Sequence, residues 1–300
     1  MITAIMLAAG IAMLFSGGET LVRGASGLAR AMRVPPLIVG LTIVAFGTSA
    51  PELVVNVVAV LQGNPHVAFG NVVGSNMANI GLILGLAALF RPIEVDATSI
   101  VREIPMMILV SASAVIMGLD GVLSGTADSF NRTDGLVLLL MFGAFMYYNT
   151  FDAIRASRRD RYIDQVEHRL AEVKAASILH SFLLTFVGIV LLVAGGKLTV
   201  MGAVGAARAL GVSEGLIGLS VVAVGTSLPE LAASVVASAR RESEIALGNI
   251  IGSNIFNLSF VMGVASAMSP VDIPGQGRLD LAVMMGLALV LVPMSMTTMR

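Results

Sequence analysis

Long apolar segments alternate with short polar turns along the whole chain of 300 residues. A helix that crosses the roughly 30 Å of hydrocarbon in a bilayer needs about 20 predominantly apolar residues. On that measure the pattern predicts an all-α polytopic membrane protein. Nine membrane-spanning helices are expected, near residues 2–31, 36–62, 67–90, 101–119, 134–154, 176–208, 214–239, 245–268 and 279–298.

The first and sixth predicted spans are long enough to tilt strongly, and polar residues interrupt both of them. The interruptions are Ser16–Glu19 and Gly195–Lys197. Glu19 and Lys197 carry opposite charges, and we expect them to pair or to extend toward the membrane surface. The apolar N-terminus, Met1–Phe15, has neither a basic start nor a small-residue cleavage site, which favours a first transmembrane helix over a signal peptide.

An internal repeat relates the two halves of the chain. A shift of 178 residues aligns Gly40–Pro92 with Gly218–Pro270 without a gap, and 23 of the 53 aligned pairs are identical. Self-similarity of this kind indicates two duplicated units. The predicted division is a first repeat (1–154, most similar part 40–92), a connector (155–175) and a second repeat (176–300, most similar part 218–270).

The two repeats are predicted to cross the membrane in opposite directions, because each unit contains an odd number of spans. Five spans per unit predict a 5+5 inverted-topology repeat, which is common among secondary transporters. With the N-terminus outside, most basic residues lie in cytoplasmic loops, including the six of the connector, as the positive-inside rule requires. The tenth helix of this plan would fall beyond Arg300, and we expect that it is missing through truncation.

Composition narrows the class of protein further. The chain is 56% hydrophobic and 12% charged, with a net charge of −1 and no cysteine, whereas soluble domains carry about 25% charged residues. Nothing supplies the basic field that nucleic acid requires, and thiolate sites are excluded. We expect a monomeric multi-pass protein of the cell membrane, in contact with the lipid bilayer, without a cofactor and with a cytoplasmic connector.

Two polar motifs interrupt consecutive apolar spans in each repeat. The first, Gly-Thr-Ser-x-Pro-Glu, occupies Gly47–Glu52 and Gly225–Glu230. The second, Gly-Asn-x-x-Gly-Ser-Asn-x-x-Asn, occupies Gly70–Asn79 and Gly248–Asn257. An ionisable residue within a membrane span indicates a functional site. The motif prolines free carbonyls of the preceding turn, near Ala45 and Thr48 and near Ala223 and Thr226. Such carbonyls are tolerated only inside protein or along a cavity.

The motifs supply hard oxygen ligands, namely two carboxylates, several hydroxyls, freed carbonyls and asparagine amides. Such ligands suit Na⁺, Ca²⁺ or Mg²⁺ and bind zinc or copper poorly, and their number favours Ca²⁺ over strictly octahedral Mg²⁺. One Ca²⁺ would neutralise Glu52 and Glu230, whereas three Na⁺ would leave one excess positive charge. An exchange of that kind would carry current.

A purely structural interpretation stays open for the small and neutral motif residues. Glycine lets membrane helices approach closely, and Ser, Thr and Asn join helices through hydrogen bonds. For Gly74, Gly252, Asn71 and Asn249, close packing and a direct function are equal alternatives. For the two glutamates a protonated structural carboxyl is the alternative, and the Thr and Pro beside each of them favour a functional site.

In these paired motifs the sequence resembles the sodium/calcium exchanger family of the cation/calcium antiporter superfamily. The motifs correspond to the two alpha-repeats of that family, and the resemblance covers nearly the whole chain apart from the connector. It implies ten helices in two inverted halves and four ion sites in a diamond at the membrane midplane. It also implies that the first and sixth helices slide across the others to alternate access.

The resemblance implies a ligand set for the transported ions. Ca²⁺ would lie between Glu52, Glu230 and the carbonyls of Thr48 and Thr226, and Na⁺ would use these and further residues of both repeats. The complete implied set is Glu52, Glu230, Thr48, Thr226, Ser49, Ser227, Ala45, Ala223, Ser75, Ser253, Asn79 and Asn257.

The implied activity is electrogenic, non-enzymatic exchange of Na⁺ for Ca²⁺. Potassium-dependent relatives carry Asp where Asn79 or Asn257 stands here, so the resemblance implies independence of K⁺. The Gly-Thr-Ser-x-Pro-Glu motif favours Na⁺ over H⁺ as the driving ion. The alternatives are an H⁺/Ca²⁺ or Mg²⁺ exchanger of the same superfamily and a cation channel. An intramembrane hydrolase would need a zinc motif, a Ser/His pair or paired catalytic aspartates, which the motifs do not contain.

Overall fold

The computed structural model of the chain is a bundle of long helices, and it describes residues 2–93, 99–123, 125, 127–167, 177–211 and 223–297. Within these ranges the helices follow the predicted spans. They are α1 (Ile2–Met32), α2 (Pro36–Thr48 and Ala50–Leu61), α3 (His66–Phe90), α4 (Ile104–Met117), α5 (Arg132–Glu167), α6 (Ile178–Ala209), α7 (Ala223–Thr226 and Leu228–Ala239), α8 (Ser243–Met268) and α9 (Gly277–Thr297).

Length and composition support a membrane-spanning arrangement. Six of these helices are long and apolar enough to cross a membrane, and the two parts of α2 together make a seventh candidate. The helix α5 continues beyond residue 154 into the predicted connector and ends at Glu167. The rest of the connector up to residue 175 and the start of the seventh predicted span, 214–222, lie outside the described residues.

Both helices that carry the first motif are interrupted at the motif serine. Ser49 in α2 has φ −86° and ψ 4°, and Ser227 in α7 has φ −88° and ψ 5°. The two parts of α2 meet at an angle of 42°. Pro51 and Pro229 lie in the first turn after each break, where an absent amide hydrogen is tolerated because it has no partner within the helix. The motif therefore encodes a helix break, and the chain uses it twice.

The second motif lies on α3 and α8, which have π-helical turns at nearly equivalent positions. These turns are Asn79–Leu84 in α3 and Phe256–Val261 in α8. A π-helical turn inserts one extra residue into an α-helix and often occurs at functional sites. Asn79 and Asn257 thus lie where their helices widen, and both side chains are buried.

Glycines bring the backbones of α1 and α6 together along their length. A Cβ atom placed on Gly24 of α1 would lie 2.4 Å from the backbone nitrogen of Thr185, and one placed on Gly188 of α6 would lie 2.4 Å from that of Leu21. Since these distances are below van der Waals contact, any side chain there would separate the helices. Small residues are the usual means by which membrane helices approach so closely.

The connections on the two sides of the bundle define two faces. The Arg240 face contains the turn between α7 and α8 and the start of α2, where the Glu244 carboxylate accepts a hydrogen bond from the backbone N–H of Leu37 at 3.3 Å. The opposite side is the Asp128 face. Asp128 forms an ion pair there with Arg278 of α9, and the hydrogen bond from Arg278 lowers the pKa of Asp128.

A short antiparallel ladder closes the Asp128 face. It joins β1 (Ser129–Phe130) to β2 (Val271–Asp272), with Phe130 opposite Val271. The two strands connect the entry of α5 with the loop after α8, and Phe130 is completely buried. These segments come from different repeats, so the ladder ties the two halves together outside the helical core.

The outer helices α1 and α6 pack differently against the rest of the bundle, although they occupy equivalent places in the repeats. On the Arg240 face α1 lies close to α7, since a Cβ on Gly18 would be 3.0 Å from Val236 Cγ2. On the Asp128 face, a cavity of about 490 Å³ separates α6 from the second part of α2, and its lining includes Lys197, Val54 and Pro51. The described helices therefore pack closely on the Arg240 face and leave a cavity on the Asp128 face.

Glu19 pairs with arginines rather than with Lys197. It forms ion pairs with Arg23, at 2.7 Å, and with Arg240 of α7. Lys197 lies level with Gly10, whose Cβ position is close to residues 195 and 199 of α6. Nine residues of helix, or roughly 13 Å, separate that level from Glu19. Because equivalent residues of inverted repeats lie on opposite sides of the midplane, the two charges are too far apart to pair.

Candidate cation site

The two motif glutamates lie in the interior of the bundle, just after the breaks in α2 and α7. Glu52 is 0% exposed and Glu230 is 1% exposed. Each carboxylate accepts a hydrogen bond from the motif serine of the other repeat. Ser49 Oγ donates to Glu230 Oε1 at 2.8 Å, and Ser227 Oγ donates to Glu52 Oε1 at 3.4 Å. The breaks therefore bring the two carboxylates into one shared network.

The motif serines also connect to the serines of the second motif. The Ser49 hydroxyl lies 3.0 Å from that of Ser253, and the Ser227 hydroxyl lies 3.2 Å from that of Ser75. All four serines are buried. Each of these contacts joins one repeat to the other, so the polar centre belongs to both halves equally.

The motif threonines reach across the repeats as well. Thr48 Oγ1 donates to Asn249 Oδ1 at 3.1 Å, and Thr226 Oγ1 donates to Asn71 Oδ1 at 3.3 Å. Thr48 is fully buried, and it is the last residue before the break in α2. These bonds anchor the chain at the two points where its helical direction changes.

Two further predicted ligands, Asn79 and Asn257, lie near the π-helical turns. Asn79 Nδ2 donates to Asn254 Oδ1 at 3.2 Å, and Asn76 Nδ2 donates to the backbone carbonyl of Asn254 at 3.1 Å. Asn257 is completely buried, and its side chain makes no hydrogen bond. The four asparagines thus lie on α3 and α8, and two hydrogen bonds join these helices through Asn76, Asn79 and Asn254.

Several buried oxygens in this centre have no hydrogen-bond partner. A buried acceptor without a partner is costly and calls for an explanation such as an ion or water. The oxygens concerned are Glu52 Oε2, Glu230 Oε2, Asn76 Oδ1, Asn79 Oδ1 and Asn257 Oδ1. Carboxylate and amide oxygens are hard donors of the kind that bind Na⁺ or Ca²⁺.

The alanine positions of the predicted set contribute only through the backbone. The Ala45 carbonyl accepts a hydrogen bond from the backbone N–H of Ser49 at 3.0 Å, and the Thr48 hydroxyl lies 3.4 Å from it. Within the predicted stretch from Ala45 to Thr48, the Ala45 carbonyl itself is therefore not freed, because the amide absent at Pro51 is the one that would reach residue 47. One lone pair of the Ala45 carbonyl stays available. Ala223 begins the first part of α7.

Sequence reasoning missed four polar residues that the fold places in or beside this centre. Asn56 and Ser234 follow the motif glutamates by four residues, so they lie on the same helical face, and both are fully buried. Asn76 and Asn254 belong to the second motif but were absent from the predicted ligand set. The i, i+4 spacing from the glutamates was the available signal for the first pair.

The cavity on the Asp128 face approaches this centre without reaching the carboxylates. Its lining is largely apolar and includes Pro51, Pro229 and Thr226. Glu52 and Glu230 are shielded behind the two prolines. The structure therefore has a centre that is closed to solvent and an adjacent cavity on one face.

Comparison with known proteins identifies the family. The model of the family described as "Sodium/calcium exchanger protein" matches residues 2–151 and 180–300, nearly the whole chain. The chain belongs to the sodium/calcium exchanger family. This confirms the resemblance deduced from the paired motifs.

Individual relatives of the exchanger family match over most of their length. The putative antiporter CaxA of Alkalimonas amylolytica is 39% identical over 298 residues, which cover 99% of this chain and 90% of the relative. The sodium/calcium exchanger MaX1 of Methanosarcina acetivorans is 30% identical over 296 residues, which cover 90% of this chain and 84% of the relative.

A solved structure supports the fold. The sodium-calcium exchanger NCX_Mj, soaked with Na⁺ and without Ca²⁺, superposes on this chain with a TM-score of 0.82 at 30% identity, covering 99% of this chain and 92% of its own. The predicted fold class, an all-helical membrane protein, is confirmed, and the inverted repeat is consistent with this exchanger structure.

Proposed function

We propose that this protein is a secondary antiporter that exchanges Na⁺ for Ca²⁺ across the cell membrane. The observation that carries the proposal is the pair of buried glutamates, Glu52 and Glu230, each with one carboxylate oxygen that has no partner. Two negative charges inside a membrane protein are tolerated when cations neutralise them. Membership of the exchanger family supports Na⁺ and Ca²⁺ as these cations.

The proposed Ca²⁺ ligands are both glutamates and the backbone carbonyls of Thr48 and Thr226. Na⁺ would use the same centre together with the remaining predicted residues. This assignment rests on the hydrogen bonds that join both motifs across the repeats. The additional Na⁺ ligands are Ala45, Ser49, Ser75, Asn79, Ala223, Ser227, Ser253 and Asn257.

Alternating access follows from the asymmetry of the two faces. We propose that α1 and α6 move across the bundle, so that the face now closed by Gly18 and the Glu19–Arg240 pair opens as the cavity beside Lys197 closes. Loop charges favour the N-terminus outside. With that orientation the Arg240 face is cytoplasmic, and the cavity opens to the exterior.

The charges of the exchanged ions determine whether each transport cycle carries an electric current. The centre holds two carboxylates, so it accepts either one Ca²⁺ or Na⁺ ions of similar total charge. If three Na⁺ move for each Ca²⁺, one net positive charge crosses the membrane in each cycle. Neutral asparagines at positions 79 and 257 favour a cycle without K⁺, because no third carboxylate is present at these two positions to hold an additional cation.

Reconstituted vesicles test this function directly. An outward Na⁺ gradient should drive Ca²⁺ uptake in vesicles that contain the purified protein, and a membrane potential that is negative inside should change the rate. Uptake driven by an H⁺ gradient instead of Na⁺ would identify the alternative H⁺/Ca²⁺ exchanger. Loss of uptake when K⁺ is omitted would contradict the proposed K⁺ independence, and discrete single-channel currents would indicate a channel.

A further inference from the structure

A chain of two hydrogen bonds leads from Thr48 away from the proposed ion site. Thr48 donates to Asn249 Oδ1 at 3.1 Å, and Asn249 Nδ2 donates to Ser234 Oγ at 2.9 Å. All three residues are buried, and Ser234 is 0% exposed. Ser234 follows Glu230 by one helical turn and makes none of the hydrogen bonds to the glutamates.

A backbone carbonyl determines the orientation of the Asn249 side-chain amide. Asn249 Nδ2 also faces the backbone carbonyl of Glu230 at 3.5 Å. A carbonyl can only accept a hydrogen bond, so the NH₂ group must point toward Glu230 and Ser234, and Oδ1 must point toward Thr48. The Glu230 carbonyl thus fixes which way the amide points, and the stronger bond of 2.9 Å to Ser234 holds the amide in place.

The single hydroxyl hydrogen of Thr48 has two neutral acceptors within reach, and the carboxylate of Glu230 also lies close to it. One is Asn249 Oδ1 at 3.1 Å, and the other is the Ala45 carbonyl at 3.4 Å. The Ala45 carbonyl already accepts the N–H of Ser49, so a second bond from Thr48 would occupy its remaining lone pair. An Asn249 amide that moved or turned away would leave the Ala45 carbonyl as the neutral acceptor for this hydrogen.

We propose that Ser234 is a positioning residue for Na⁺ binding. By holding the amide of Asn249, it keeps the hydroxyl hydrogen of Thr48 off the Ala45 carbonyl and leaves that carbonyl free to bind Na⁺. Ca²⁺ binding depends much less on Ser234, because Ala45 belongs only to the proposed Na⁺ ligands. The inference rests on the proposed ion site.

A related series of hydrogen bonds starts at Thr226 and ends on an asparagine of the first repeat instead of a serine. Thr226 donates to Asn71, and Asn71 Nδ2 donates to Asn56 Oδ1 at 2.8 Å. Asn56 is the equivalent of Ser234, and its own Nδ2 is buried without a partner. A serine therefore occupies in the second repeat the position that an asparagine occupies in the first. The hydrogen bonds that support Thr48 consequently differ from those that support Thr226.

The test compares Ser234→Ala with a matched control in reconstituted vesicles. Ser238→Ala removes the same hydroxyl one turn further along α7, where Ser238 is 0% exposed and donates to the Ala87 carbonyl at 2.8 Å. Loss of an outer-shell partner typically weakens a cation site about 10-fold or more. Ser234→Ala should therefore raise the half-saturating Na⁺ concentration about 10-fold, while the KM for Ca²⁺ changes less than about 2-fold. Ser238→Ala should change neither.

A double variant separates positioning from a general loss of structure. Thr48→Val removes the hydroxyl hydrogen that Ser234 controls. In the Thr48→Val protein, a further Ser234→Ala change should therefore leave the Na⁺ dependence unaltered. Additive effects of the two changes would overturn the proposal. So would an equal rise of the Na⁺ and Ca²⁺ constants in Ser234→Ala, since a structural defect affects both ions.

Failure of the inference is distinguishable from failure of the ion site. If Glu230→Gln abolishes exchange and Ser234→Ala behaves like Ser238→Ala, the site stands and the positioning role is wrong. If Glu230→Gln retains exchange, the proposed ion site is wrong and the inference fails with it. Binding to purified variants, measured as the rise in melting temperature on addition of NaCl or CaCl₂, gives the same comparison without transport.

Discussion

Ser49 and Glu230 belong to different repeats and lie 181 positions apart, yet the Ser49 hydroxyl donates to Glu230 Oε1 at 2.8 Å. The equivalent bond from Ser227 to Glu52 is longer, at 3.4 Å. Each carboxylate is therefore held by the half of the protein to which it does not belong. A cation bound between the carboxylates would contact residues from both halves.

The two glutamates are expected to be essential for exchange. Glu52→Gln and Glu230→Gln keep the shape of the side chain and remove one of the two charges at the centre, so Ca²⁺ would no longer be neutralised. We expect Na⁺-driven Ca²⁺ uptake into vesicles to fall at least about 100-fold, as for loss of a primary charged ligand. Asp128→Asn, which removes a carboxylate far from the centre, is the control and should retain uptake. Near-normal flux in either glutamine variant would contradict the proposed site.

Acid is expected to inhibit exchange by competition at the same carboxylates. A proton on either glutamate removes one negative charge and one acceptor oxygen, so the KM for Ca²⁺ should rise as the pH falls, and high Ca²⁺ should restore the rate. The measurement is initial uptake against Ca²⁺ concentration at a series of pH values. A KM that stays constant down to about pH 4, below the usual pKa of glutamic acid, would rule out this competition.

The ion pair between Glu19 and Arg240 is expected to stabilise the state closed at the Arg240 face. Arg240→Gln places there the residue type found at the equivalent Gln62 and removes the pair. Since the side chains are 35% and 37% exposed, the pair contributes no more than about 1 kcal/mol. The population of protein molecules that are open at the Arg240 face should then rise roughly 2- to 5-fold.

This shift can be measured because the chain contains no cysteine. A single cysteine at Val236, whose side chain meets the Cβ position of Gly18 at 3.0 Å across the closed contact, should react faster with a membrane-impermeant thiol reagent in the Arg240→Gln protein. Arg241→Gln removes the neighbouring positive charge and serves as the control. Equal labelling rates in both variants would mean that the ion pair does not influence the opening of this face.

The glycine contacts between α1 and α6 are expected to tolerate no side chain. Gly188→Ala would place a Cβ 2.4 Å from the backbone nitrogen of Leu21, and forced separation of packed helices typically costs about 1–3 kcal/mol. Thermal unfolding in detergent should show a lower melting temperature. Gly143→Ala in α5, where a Cβ would meet nothing within 4 Å, should have no such effect. Equal melting temperatures for the two variants would contradict the close contact.

The sequence was most informative where a short motif by itself determines the backbone conformation. A proline two residues after the motif serine predicts a helix break, and the breaks lie at Ser49 and Ser227. The periodic apolar segments predicted the helices, and the repeated glutamates predicted a polar centre. The fold class and the family are confirmed. The division into repeats and connector and the individual ion ligands stay predictions.

Features that depend on contacts between distant segments could not be read from the sequence. The shift of 178 residues relates Glu19 to Lys197, but inversion places them at different depths, and the partner of Glu19 is Arg240. The Asn249–Ser234 bond links two helices whose relative rotation no local pattern specifies. The proline motif also does not specify which carbonyl of the turn before Pro51 is freed, and the Ala45 carbonyl is not, since it accepts a hydrogen bond from Ser49.

The backbone contact between α1 and α6 has a consequence for the leakage of ions through the protein. Because the backbones of α1 and α6 touch at Gly24 and Gly188, the proposed movement would carry the two helices together. A movement that opens the Arg240 face would then close the cavity beside Lys197. In such a cycle the two entrances are not open at the same time, so an ion gradient would not dissipate through the protein without a completed exchange.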